Sequence, residues 1–422
     1  MAVENNKKTI SDYLIKLNEF KFDFSLKRIK ACLKLLNNPQ NSFKVIHVAG
    51  SNGKGSVCTY LSNILIEHGF KTGLYTSPHI SKITERIAIN GRPVSESLFY
   101  NEALKLKNLI EKEKIHLTYF EFLTALCFVI FKKQKAGIAV VETGLGGRLD
   151  ATNMNYSNKL LSIITSIALE HKDWLGDTEM NILKEKEKII GRGLCVSGIR
   201  QPYLRKYLKA KYRERIIFND EFYSMQPADI VKGKLALQLY NKKTKSELNI
   251  KTSMIEPVQA ENIKTVLTCL KVLESKGFKF DIQKTIKAIG KTEILGRLTY
   301  NKKGYYISVA HNYEAIGEML SALKKIARGN KIVYVFSILK DKDMDAICRV
   351  MKKYRNLLVI ITQIRNNARA LSIGKIIDYI VKYGIKFKAE NNNEKAIRLA
   401  MKIKGKGVVV AGGSFYLVKE YV

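Results

Sequence analysis

Short continuous runs of apolar residues recur along the chain, separated by longer stretches in which apolar residues return every three or four positions. The runs are Val45–Ala49, Ile138–Glu142, Leu160–Thr165, Tyr305–Val309, Ile332–Phe336, Leu357–Thr362 and Val408–Ala411. Each is too short for a helix and lacks the alternation of a half-exposed strand, which predicts strands buried on both faces. Helical spacing marks Val57–His68, Ser97–Glu111, Asn181–Ile190, Glu261–Leu273 and Glu314–Ala327. Strands alternating with helices predict an α/β architecture of parallel sheets covered on both sides. The stretch Tyr203–Lys251 is more polar and alternating, and predicts a small antiparallel addition. A new strand–helix series begins near Lys291–Arg297, which divides the chain into residues 1–293 and 294–422.

A length of 422 residues agrees with two domains, and 46% hydrophobic against 26% charged residues is ordinary for a globular protein. The longest apolar stretch, Phe122–Phe131, is about half of what a membrane-crossing helix needs. Met1–Ser11 is polar and does not read as a secretory signal. The six cysteines are scattered without a CxxC pair and predict reduced, mostly buried thiols, hence a cytoplasmic protein. A net charge of +35 could serve nucleic acid. The lysines are spread along the whole chain, however, a profile that an AT-rich coding sequence produces by itself. Neither nucleic acid nor a membrane is expected as a partner.

Chemistry gathers just after the strands, where ligands of open α/β sheets bind. Val45–Ala49 runs into Gly50-Ser51-Asn52-Gly53-Lys54-Gly55-Ser56 and then a helix. Strand, glycine turn and helix make a phosphate loop: glycines let the backbone wrap, and the helix presents its positive end to the anion. Lys54 would reach the outer phosphates and Ser56 the metal or phosphate. The loop is shorter than the full Walker pattern, with Gly55 in the usual first hydroxyl place. Ile138–Val141 ends in Glu142 and the glycines 144, 146 and 147, a position suited to a magnesium ligand beside a phosphate. Leu160–Thr165 leads to His171, and Gly73–Tyr75 to Thr76-Ser77-Pro78-His79. Loops after these strands would meet at one edge of one sheet.

These residues, in this order, resemble the folylpolyglutamate synthase and dihydrofolate synthase family of the Mur ligase superfamily. The resemblance rests on Ile46–Ser56, Thr76–His79, Glu85–Ile87 with Ile89–Gly91, Phe120–Ala125, Glu142–Asn153, Thr165–His171, Leu175–Thr178, Lys340–Asp343 and Gly413–Val418. It implies an N-terminal P-loop ATPase-like Mur ligase central domain and a smaller C-terminal Rossmann-like domain. It also implies ATP, two magnesium sites, and glutamate addition to a folate or dihydropteroate through an acyl phosphate. The family is mostly monomeric, and a monomer is expected here. By the same resemblance Ser77, Glu142 and His171 are metal ligands. Lys186 matches a lysine that is carbamylated in relatives and holds the second magnesium; otherwise it would be a solvated residue of a charged helix. Gln259, Asn262 and Arg297 match nucleotide contacts, and His311 with Asn312 matches a second-domain Ala-His-Asn motif.

Two departures stand out. Val258 replaces the histidine usual before Gln259. Ser308-Val309 stands where relatives carry Asp-Gly, which leaves Ser308 as a neutral ribose partner. A peptidoglycan-type amino acid ligase is the alternative within the superfamily, and a nucleotide- or nucleic-acid-binding protein without ligase activity lies outside it.

Overall fold

The computed structural model describes residues 2–19, 25–365 and 367–422. The chain separates into two compact units, residues 1–223 with 262–289, and residues 224–261 with 290–422. The break between residues 289 and 290 lies near the boundary placed from sequence. The second unit, however, also takes up residues 224–261, which had been grouped with the first.

Among the described residues of the first unit, eight strands form one sheet. They are β1 (Lys44–Ala49), β2 (Thr72–Tyr75), β3 (Ile87–Ile89), β4 (Arg92–Pro93), β5 (Ile138–Glu142), β6 (Lys159–Ile164), β7 (Cys195–Ser197) and β8 (Ile216–Phe218), in the order β4-β3-β2-β5-β1-β6-β7-β8. From β2 to β8 the pairing is parallel; β3 and β4 add an antiparallel edge. β1 is fully buried from Val45 onward because parallel neighbours flank it and helices cover both faces. One face carries a core built with the helices Lys27–Leu35, Glu96–Lys112 and Tyr119–Lys133, the last buried nearly all round. Farther along the same face, at Ile164, Cys195, Ile216 and Phe218, a second cluster packs with Ile182, Leu183, Leu204 and Leu208.

The second unit contains β10 (Asp229–Val231), β11 (Lys234–Asn241) and β12 (Ser246–Thr252), which run antiparallel, with β9 (Tyr223–Met225) joining at β11. The antiparallel addition expected from the alternating pattern is therefore present, but only from Tyr223 onward. Pro202–Tyr212 is a helix: Leu204, Leu208 and Tyr212 are buried four residues apart, and Pro202 takes a first-turn position where its missing N–H costs nothing. A second parallel sheet has the order β13 (Thr299–Tyr300), β14 (Tyr306–Ser308), β18 (Val408–Gly412), β15 (Ile332–Phe336), β16 (Leu357–Ile361) and β17 (Phe387–Ala389), antiparallel only at β13. Its helices, led by Tyr313–Ala327, complete a separate core. No helix among the described residues is long and apolar enough to cross a membrane, and all six cysteines are buried free thiols.

Candidate active site

The adjacent parallel strands β2, β5, β1 and β6 all deliver their loops to one edge of the first sheet, so the segments after Tyr75, Glu142, Ala49 and Ile164 are neighbours. Glu142 is opposite Val48 in register, and the Thr143 N–H donates to the Val48 carbonyl at 2.9 Å.

After β1 the chain turns at Gly50 and Gly53, with φ of 149° and 83°. A Cβ on Gly50 would lie 1.9 Å from Thr165 Oγ1, and one on Gly53 would lie 2.4 Å from Asn262 Oδ1. Only glycine fits either place. The loop is laced to the segment after β6. Ser51 N–H donates to the Ser166 carbonyl (2.8 Å), Asn52 N–H to Ser166 Oγ (3.1 Å), and Thr165 Oγ1 to the Asn52 carbonyl (2.6 Å). Ser51 Oγ accepts from Ala168 N–H at 3.0 Å. The Ser51 and Asn52 N–H groups are thus committed to protein and not to a phosphate. What remains for an anion is the start of the helix Lys54–Glu67. Its N-cap is Gly53, which has no side chain to satisfy the first-turn N–H groups.

Lys54 bends over the same loop, Nζ donating to the carbonyls of Gly50 (2.9 Å) and Ser51 (3.3 Å). A Cβ on Gly55 would stand 3.6 Å from Glu142 Oε2, an ordinary contact, which places the buried carboxylate beside the helix start. The same oxygen accepts the Ser77 N–H at 3.1 Å. Ser77, Glu142 and the turn Lys54–Ser56 therefore come together, an oxygen-rich arrangement beside an anion site that suits a hard cation keeping several waters. His171 is exposed on its loop at φ 44°, its carbonyl accepting the N–H groups of Trp174 and Leu175. Among the described residues no three His, Cys, Asp or Glu side chains converge on a metal position.

Lys186 is not the solvated helix residue its neighbours suggest. It is 1% exposed, with Nζ 2.7 Å from Glu170 Oε1 and donating to the Gly50 carbonyl at 3.0 Å. Burial lowers its pKa, with Lys54 acting in the same direction and Glu170 opposing. Burial alone would push the Glu170 carboxyl up, but Lys186, Lys54 and His171 together hold it down at about 2. As an ammonium, Lys186 supports the loop backbone and cannot ligate a metal. Glu170 went unread in the sequence; its position next to His171, one residue from a proposed ligand, was the available signal. Asp150, Thr152 and His47 were likewise quoted only within motifs, and all three are buried.

Gln259 and Asn262 share the helix Val258–Glu274. Asn262 packs on Gly53, as above. Gln259 is buried and donates from Nε2 to Glu256 Oε2 at 3.3 Å. Burial raises the Glu256 carboxyl, while Arg297 and Gln259 favour its charge. Arg297 is half-buried within the second unit. Ser308 ends β14 with no exposed surface, and its Oγ accepts the Ala310 N–H at 3.3 Å. The expected ribose partner is therefore a fully buried turn residue, whose hydroxyl still has its own proton to donate. His311 follows, with Nδ1 donating to the Val309 carbonyl at 2.8 Å, and Asn312 caps the helix Tyr313–Ala327 by accepting from Ala315 N–H.

The model of the Mur ligase, glutamate ligase domain, matches residues 293–415. The dihydrofolate synthase/folylpolyglutamate synthase of Buchnera aphidicola subsp. Schizaphis graminum is 30% identical over 407 residues, 94% of this chain and 91% of that protein. The fold is similar to that of Mycobacterium tuberculosis folylpolyglutamate synthase complexed with ADP and AMPPCP. The TM-score is 0.88 at 26% identity, covering 99% of this chain and 98% of the other. It is also similar to the Yersinia pestis bifunctional folylpolyglutamate synthase/dihydrofolate synthase complexed with AMPPNP and Mn ion. There the TM-score is 0.83 at 26% identity, covering 98% and 97%. A glycine loop, a buried carboxylate and an anion-ready helix start on one sheet edge thus occur in a chain whose whole length follows these proteins, and it belongs to the dihydrofolate synthase/folylpolyglutamate synthase family of Mur ligases.

Proposed function

We propose that this protein is an ATP-dependent ligase that joins L-glutamate to the carboxylate of a folate, of dihydropteroate, or of both. The observation that carries the reading is the convergence of Gly53–Ser56, Lys54, Glu142 and Ser77 on one edge of the sheet. In the first step an acceptor carboxylate oxygen bonds to the γ-phosphorus as the bond to the ADP oxygen breaks. In the second, the glutamate nitrogen bonds to the acyl carbon, inorganic phosphate departs, and the nitrogen loses its proton to solvent. A carboxylate is a poor acyl donor in water, and phosphorylation supplies the leaving group. The protein's part is positioning and charge neutralisation. The helix start binds the phosphates, and Lys54 leaves the loop carbonyls to meet the outer phosphate.

Magnesium, when bound, neutralises charge across the phosphates; Glu142 and Ser77 would hold it, with His171 from the neighbouring loop. The remaining nucleotide contacts are assigned to Gln259, Asn262 and Arg297, and His311 to the second substrate's side. Ser308 keeps no such role in the proposal. A second magnesium would need an oxygen ligand from Lys186, which only a carbamate supplies, and the amine would have to give up Glu170 to form it. Restoration of Lys186→Ala activity by short-chain carboxylic acids tests that part. Six free thiols and the use of ATP fit a cytoplasmic enzyme acting as a monomer.

The deciding experiment is ADP release from ATP, magnesium and glutamate with a panel of acceptors: dihydropteroate, tetrahydrofolate and a muramyl peptide. Turnover with a pterin acceptor is expected, lost on EDTA treatment and restored by magnesium or manganese. ADP release with the muramyl substrate alone, or with none, overturns the reading.

A further inference from the structure

His47 lies in the middle of β1, three residues before Gly50, and is fully buried. It shares the strand face of Val45, whose surroundings are apolar, with the Tyr156 ring edge-on at 5.8 Å. An aliphatic residue would fill such a place without a polar cost, and Nδ1 has no hydrogen-bond partner among the described residues. The other nitrogen accounts for the histidine. Nε2 is 2.8 Å from Thr152 Oγ1, across 105 residues of sequence.

The direction of each bond in this chain can be deduced. Asp150 receives the Leu145 N–H on Oδ2 (2.9 Å) and the Thr152 N–H on Oδ1 (2.9 Å); burial raises its pKa, but these bonds, with those from the Thr152 hydroxyl and the Gly144 N–H, favour the carboxylate, which can only accept. The Thr152 hydroxyl spends its single proton on the same Oδ1. Thr152 Oγ1 must therefore accept from His47, which places the imidazole proton on Nε2 and leaves the lone pair on Nδ1. A cationic ring would bury a second N–H with no acceptor. His47 is neutral, and one tautomer is selected.

The bonds end at the turn after β5. Leu145 N–H is tethered to Asp150, and the glycines around it fit between two walls. A Cβ on Gly144 would lie 2.5 Å from the Phe120 ring, and one on Gly147 would lie 2.8 Å from the Glu185 carbonyl and 3.0 Å from Lys186 Cα. Neither glycine has room for a side chain, so the turn that Asp150 tethers lies close against Phe120 on one side and the backbone that carries Lys186 on the other.

We propose that His47 is a positioning residue: its Nε2–H orients the Thr152 hydroxyl toward Asp150, and so fixes the Gly144–Gly147 turn against Phe120 and Lys186. The consequence for activity rests on the ligase reading; the mechanical consequence does not. A mere packing role would act through β1, and so through the phosphate loop that follows it. A positioning role acts through Thr152 on the neighbouring turn.

The test uses the full chain with His47→Leu, His47→Gln, Thr152→Val and the double variant His47→Leu/Thr152→Val. Gln keeps an N–H near the Nε2 place, and Val keeps the shape of Thr without its proton. Backbone amide hydrogen exchange is read over residues 143–153 and over the helix Lys54–Glu67. We expect exchange in 143–153 to rise about tenfold in His47→Leu and in Thr152→Val, with no further rise in the double variant. His47→Gln should retain protection, and the helix should be unchanged in all four. In turnover assays the acceptor KM should rise by a similar factor in His47→Leu and Thr152→Val while the ATP KM holds. Wild-type protection in the turn of His47→Leu or of Thr152→Val, or additive effects in the double, would overturn the proposal. If His47→Leu does not fold, Thr152→Val alone decides by the same exchange criterion. Absence of turnover in the wild type would sink the ligase reading and leave the exchange result standing.

Discussion

Lys186 sits in a run of charged residues, Lys184-Glu185-Lys186-Glu187-Lys188, where local pattern points to water. The fold buries it instead, because the helix Glu179–Lys186 ends beneath the phosphate loop and Glu170 supplies the counter-charge. Removing one partner of such a pair strands the other. Lys186→Met should therefore lower stability by about 2–3 kcal/mol, below the range for fully enclosed pairs because Glu170 keeps 16% of its side chain exposed. Lys186→Met/Glu170→Gln should recover part of that loss in denaturant titrations. Lys54→Ala and Glu142→Ala should each cut ADP release by about a hundredfold or more with little change in melting temperature, since neither side chain supports the core. Near-normal turnover in either would displace the site. His47 makes a prediction in pH. Burial, followed by the charge of Lys159, holds its pKa well below 6.5, so the folded protein refuses a proton that the unfolded chain accepts. Stability from this group is complete above about pH 6.5 and falls by about 1 kcal/mol per pH unit below it. Wild type should lose more melting temperature than His47→Gln between pH 7.5 and 5.

The strands called from continuous apolar runs all form, within a residue or two at their ends, because burial on both faces leaves its mark in every position of the run. The short strands β7 and β8 leave too little pattern, and β2 was inferred only from Gly73–Tyr75 and the turn Thr76-Ser77-Pro78-His79 that follows it. The helix Pro202–Tyr212 was hidden because its four-residue apolar spacing sits inside a polar stretch that also contains true alternation. The phosphate loop was legible as an element: strand, glycines, lysine, helix. Its steric demands were not. Gly53→Ala would place a methyl group 2.4 Å from Asn262 Oδ1 at φ 83°, which should cost about 1–3 kcal/mol. The measurement is a denaturant midpoint together with ATP KM, and we expect both to worsen. An unchanged midpoint would mean that Asn262 moves aside at no cost.

At the scale of the whole molecule, the basic residues behind the net charge of +35 are spread along the whole sequence rather than gathered in one stretch. Binding to RNA or DNA should therefore be non-specific and be lost between about 50 and 200 mM salt, while ADP release persists. Binding that survived that range would revive the nucleic-acid reading. The amino-acid pattern alone determined the α/β class, the sheet's main strands, the phosphate loop, and the placing of Glu142 at a strand end and of Ser77 and His171 in segments after strands. Each of these is a local property, written in the period of apolar positions and in short motifs. Only tertiary structure decided which of those loops became neighbours, through the order β2-β5-β1-β6. It also joined Lys186 to Gly50 across 136 residues and His47 to Thr152 across 105, and turned Ser308 inward. Sequence period carries no record of such contacts, because they arise when separate strands pair and bring distant side chains into the same few ångströms.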